Sequence, residues 1–123
     1  MLSHYHYADG KERTRWGAMA PSFVTSLGSF IHQTPCLENI KALVPCALYR
    51  CGRSDFYVLK AQYPLLQQLW TAHLEMEVAG YEHRVSQLIT TQAEQRYRNF
   101  IRQYPAYLER LPQKYLADML GIE

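Results

Sequence analysis

The sequence predicts an α+β fold, with strands gathered in its first half and helices in its second. Three observations carry this reading. Polar and aromatic residues alternate on either side of Asp9-Gly10, a pair that closes tight hairpins. Apolar residues recur at helical spacing from 64 to 88. Thr91-Gln92-Ala93-Glu94 matches a capping box, in which a threonine hydroxyl and a glutamate satisfy each other's exposed N–H groups at a helix start.

Taken in order, 2–8 and 11–16 form a two-stranded ribbon, and Gly17-Ala18-Met19-Ala20-Pro21 breaks it. The stretch 23–30 is short and mixed, enough for a strand end plus a turn of helix. Two further strands are expected at 37–43 and 46–51, split by Pro45. Gly52-Arg53-Ser54 ends the strand section, with Ser54 capping a short helix through Phe56 and Leu59. Pro64, tolerated at a first helical position, launches a long helix to about Leu88.

That helix carries two apolar stripes. One is Leu66, Trp70, Leu74, Val78, Tyr81, Val85 and Leu88; the other is Leu65, Leu69, Ala72, Met76 and Ala79. Two apolar faces need two partners, the body of the chain and a second copy of the helix, so a homodimer is expected through the second stripe. A new helix starts at Thr91 and runs to about Gln103, Tyr104-Pro105 ends it, and Leu111-Pro112 launches the last helix, 112–120. Within it, Ala117 and Gly121 stand four apart, a small contact residue and then a glycine suited to positive φ. With Leu116, Leu120 and Ile122 as apolar contacts, they read as the packing residues of the first half of a helix-turn-helix.

Composition narrows the function. At 123 residues the chain has the size of one domain, and 48% hydrophobic against 20% charged residues excludes wholesale disorder. A formal charge of +2 makes no electrostatic case for nucleic acid. From Glu82 to Glu123, six bases (Arg84, Arg96, Arg98, Arg102, Arg110, Lys114) face five acids (Glu82, Glu94, Glu109, Asp118, Glu123). No apolar run approaches the roughly 20 residues of a membrane span, and Met1-Leu2-Ser3-His4 lacks the regions of a signal peptide, so a cytoplasmic location without membrane contact is expected. Cys36, Cys46 and Cys51, an odd set without a C-x-x-C pair, are read as free thiols.

Ala93-Glu94-Gln95-Arg96-Tyr97, Tyr104-Pro105, Leu111-Pro112-Gln113-Lys114-Tyr115-Leu116-Ala117 and Leu120-Gly121-Ile122 together resemble the Crp/Fnr family of bacterial transcription regulators, in particular the branch common in Bacteroidetes. Upstream, Asp9-Gly10-Lys11-Glu12, the stretch 23–30, Ile40-Lys41-Ala42 and 56–64 fit the later strands of that family's cyclic-nucleotide-binding β-roll and the helices after it. The resemblance implies a partial, jelly-roll-like β-roll over 1–62, a dimerisation helix over 63–90, and the first helices of a winged helix-turn-helix over 91–123. It also implies that the first roll strands precede this chain and that the DNA recognition helix and wing follow it. DNA is then a partner of a full-length relative and not of this chain.

In nucleotide-binding members of the family, a glutamate before a leucine accepts from the ribose hydroxyl, and an arginine farther on neutralises the cyclic phosphate. Thr25 and Ser26 before Leu27, then Cys36 and Leu37, stand at the matching positions. Neither charge is present, so cAMP and cGMP are not expected to bind in the usual way, no cofactor is expected, and any small-molecule effector is unknown.

Two other classes fit parts of the sequence. His4 and His6 share one strand face and with Glu12 make a cupin-like metal set, although no second histidine strand accompanies them. A stand-alone dimerisation or interaction module is the third class. Ser22, Ser26 and Ser29 lack a G-x-S-x-G setting, and no P-loop or dinucleotide fingerprint occurs, so no enzyme is expected.

Overall fold

A computed structural model describes the backbone of residues 2–8 and residues 10–122 in full. The chain mixes strands and helices, and one helix is much longer than the rest. It divides into two compact units, one formed by residues up to 46 with those from 87 onward, the other by 47–86. The sequence reading instead divides the chain at 62/63 and 90/91. The difference arises because contacts far apart in sequence tie the strands to the last helices.

The ribbon at the start of the first unit consists of β1 (Leu2–Ala8) and β2 (Lys11–Ala18), antiparallel from Ala8↔Lys11 to Leu2↔Ala18. The tight loop between them uses Gly10 at φ +73, a conformation open to glycine at no steric cost; Asp9 lies outside the described residues. His4 faces Trp16 while Tyr5 faces Thr14, which leaves Arg15 as an extra residue in β2 and bends that strand. On the other side of β1 lies β3 (Glu38–Ala42), also antiparallel, giving the order β2-β1-β3. The strand expected at 46–51 is not formed. These residues are irregular and exposed, Tyr49 fully so. Pro45 removes a backbone donor just before them, and without a ladder partner an extended segment has nothing to pair with.

Between β2 and β3, the helical part of 23–30 is α1 (Leu27–His32), with Ser26 at its N-cap and Gln33 closing it at φ +56; the strand end expected before it is absent.

In the second unit, α2 (Arg53–Gln62) begins after Gly52, not after Ser54, which lies inside the helix. Its Phe56 meets Trp70 of α3 (Pro64–Thr90) with ring centroids 4.9 Å apart in a T-shaped pair. Both rings are buried. Aromatic pairs of this geometry add about 1 kcal/mol beyond the area they bury.

The first unit resumes at the end of α3 and continues through α4 (Ala93–Gln103), α5 (Pro105–Arg110) and α6 (Gln113–Leu120). The capping box does not form. Thr91 donates its hydroxyl to the Gln87 carbonyl at 2.6 Å, back-bonding onto the turn that ends α3, and Glu94 pairs with Arg98 at 2.6 Å one turn along α4. Gln92 is the N-cap in their place. Tyr104-Pro105 does end α4, but Pro105 is also the first residue of α5, a helix the sequence reading passed over. Pro112, the expected first residue of the last helix, sits at the N-cap of α6, which starts one residue later at Gln113.

Phe100, Tyr107, Leu111, Leu116, Met119 and Leu120 form the buried core of this unit, with Trp16, Met19, Leu43, Tyr104, Tyr115 and Ile122 packed around it. No helix among the described residues is long and apolar enough to cross a membrane.

Candidate functional site

Three groups of residues were marked by the sequence: the cassette positions, the second stripe of α3, and the packing residues of α6. The second stripe lies on α3, and Leu116, Ala117 and Leu120 lie on α6; of the cassette positions Leu27 opens α1, while Thr25, Ser26, Cys36 and Leu37 lie in the segments on either side of it.

Ser26 and Cys36 are ten positions apart, but the short α1 turns the chain back so that they meet. Ser26 donates from Oγ to Ser29 Oγ at 3.4 Å, and Ser29 reaches the Pro35 carbonyl at 3.5 Å. Cys36 donates from Sγ to the Glu38 carbonyl at 3.2 Å and accepts from the Glu38 N–H at 3.4 Å. The Ser26 hydroxyl first, then the Glu38 backbone, hold the Cys36 thiol below its ordinary range because both favour the thiolate. Thr25 and Leu27 are half-buried beside this cluster in sequence, whereas Leu37 is 75% exposed. Arg15, the bulged residue of β2, pairs with Glu38 at 2.7 Å. A phosphate at these positions would meet two hydroxyls and a thiol, with the neighbouring Arg15 guanidinium already bonded to the Glu38 carboxylate.

The five residues of the second stripe are all exposed, with Leu65 at 66%, Leu69 at 52% and Met76 at 76%. Their spacing is 4-3-4-3. This spacing is the one that the seams of left-handed coiled coils use. The first stripe divides. Trp70 is buried and Leu66, Leu74 and Tyr81 are half-buried, while Val78, Val85 and Leu88 are exposed.

At the last helix, Leu116 and Leu120 are buried and Ala117 and Ile122 half-buried. Gly121 ends α6 at φ +61, and its N–H reaches the carbonyls of Ala117 and Asp118. The Ile122 N–H bonds back to the Ala117 carbonyl at 3.0 Å, completing a Schellman-type stop. A Cβ added at Gly121 would lie 3.1 Å from Leu88 Cδ2, so the glycine serves both the turn and a close approach to the end of α3.

Sequence reasoning missed the residue that ties this end together. The Arg96 guanidinium donates to the Leu120 carbonyl at 2.9 Å, the Gly121 carbonyl at 3.1 Å and the Thr91 carbonyl at 2.5 Å. One side chain thereby satisfies carbonyls left open at the end of α6 and just past the end of α3. No local pattern announces it, since two of its partners lie 24 and 25 residues away. Asp118 was also missed: its Oδ2 accepts the Thr14 N–H at 3.1 Å across 104 residues.

The side chains of His4 and His6 lie outside the described residues, and Glu12 is exposed. Among the described residues no group of three or more His, Cys, Asp or Glu is placed to hold a metal ion. No family model matches the chain, nor does any curated protein or solved structure.

Proposed function

We propose that the chain is a dimeric sensory and regulatory module of the Crp/Fnr kind, partnered through α3, in which the usual cyclic-nucleotide phosphate contacts are lost. The observation that carries the reading is the seam Leu65, Leu69, Ala72, Met76 and Ala79, apolar, regularly spaced and exposed along a 27-residue helix. A second copy is the occupant that fits. In a parallel pair, Glu75 lies opposite Gly80 and Glu82 opposite Gln87, so no two acids face each other across the seam. The positive φ of Gly121 after a buried Leu116 and Leu120 supports the reading of α6 as a helix built to turn into a following one.

Light scattering on the chain and on Leu69→Glu/Met76→Glu tests the assembly. A dimer that becomes a monomer in the variant is expected, because each glutamate would be buried without a partner. A wild-type monomer at tens of micromolar would overturn the reading. Calorimetry with cAMP and cGMP tests the sensory half: no specific binding is expected, and a dissociation constant in the low micromolar range would contradict it.

A further inference from the structure

Among the described residues, the six buried apolar residues of the first unit's core fall between Phe100 and Leu120, on the helical segment, and from within β2 and β3 the described side chain packed against them is the partly buried Trp16. The helical segment is also fastened without the sheet, by Arg96 on the carbonyls of Thr91, Leu120 and Gly121. Among the described residues, two polar fasteners between backbone and side chain join β2 to it. Asp118 accepts the Thr14 N–H, and the Tyr107 hydroxyl donates to the Gly17 carbonyl at 2.9 Å. Both use the outer edge of β2, the side away from β1. Arg13, 3.7 Å from Asp118 and half-exposed, adds little in solvent.

The docked state carries an internal cost. Thr14 is 2% exposed, yet its hydroxyl makes no hydrogen bond. A buried hydroxyl without a partner disfavours the closed arrangement, and release to water removes that cost.

We propose that the small sheet is a releasable strap over a helical core that closes on its own, latched by Asp118 and Tyr107 on the edge of β2. Release frees Trp16 from Tyr104 and Tyr107, whose rings it meets at centroid distances of 6.4 Å each, and uncovers the side of α6 that β2 crosses. The proposal is independent of the family reading.

Hydrogen exchange on the full chain tests it, comparing wild type with Asp118→Ala/Tyr107→Phe and with Thr14→Val. Alanine is a good helix former and phenylalanine keeps the ring, so both latches are removed with the packing retained. Amides of 11–18 are expected to exchange roughly tenfold faster or more in the double variant, since each lost bond is one partnered inside the protein, while amides of 113–120 change by less than about twofold. Thr14→Val, which replaces the unpaired hydroxyl by a methyl, is expected to slow exchange over 11–18. Equal acceleration in both segments would show that sheet and helices open as one body and would overturn the proposal. So would an unchanged double variant, or faster exchange in Thr14→Val.

Discussion

Arg96 and Gly121 show how unequally single residues declare themselves. Gly121 was legible, because a glycine after an apolar helical run is the usual way to enter positive φ, and the structure holds it at +61. Gly121→Ala is expected to lower stability by about 1–2 kcal/mol, from the left-handed backbone and from crowding on Leu88, read as a lower urea midpoint. Arg96 was not legible, because its role depends on where α6 ends in space. Arg96→Lys is expected to cost about 1–2 kcal/mol: an ammonium keeps the charge but cannot span three carbonyls as a planar fork does. At Cys36, the lowered thiol pKa raises the thiolate fraction at any pH below the ordinary thiol value. Ser26→Ala removes the largest cause, so alkylation of Cys36 by iodoacetamide at pH 7.5 is expected to slow in that variant, followed by peptide mass spectrometry. The same sign holds for stability: any contribution of this thiolate is present at high pH and fades as pH falls through its folded pKa.

Among the elements, the ones set by strong local chemistry were readable. Alternation around Asp9-Gly10 gave the β1–β2 ribbon, Pro64 gave the start of α3, and the long apolar periodicity gave its length to within two residues. Elements whose signals compete were not. Thr91 carries a capping sequence but finds the Gln87 carbonyl first, so α3 extends to Thr90 and α4 starts later. The apolar run at 46–51 has strand composition without a ladder partner, and composition alone does not supply one. At the positions that the resemblance matches to a phosphate cassette, the absence of both charges was visible in the sequence, whereas the meeting of Ser26 with Cys36 required the turn made by α1. Gly80 lies within α3 with open space where a Cβ would be. Gly80→Ala is therefore expected to stabilise the helix by about 0.5–1 kcal/mol, seen as a higher thermal midpoint.

For the whole molecule, the central claim is that two copies join along α3, and it rests on a seam whose pattern was in the sequence but whose exposure only the structure supplies. In a parallel coiled coil, equivalent seam residues face one another across the axis. Ala72 lies midway along the seam. The most direct measurement is therefore oxidative cross-linking of Ala72→Cys in a background where Cys36, Cys46 and Cys51 are serine, read on a non-reducing gel beside the same substitution at Gln67, exposed and on the face away from the seam. A parallel pair predicts efficient covalent dimer from Ala72→Cys and little from Gln67→Cys. Monomer from both, or equal cross-linking at the two positions, would contradict it.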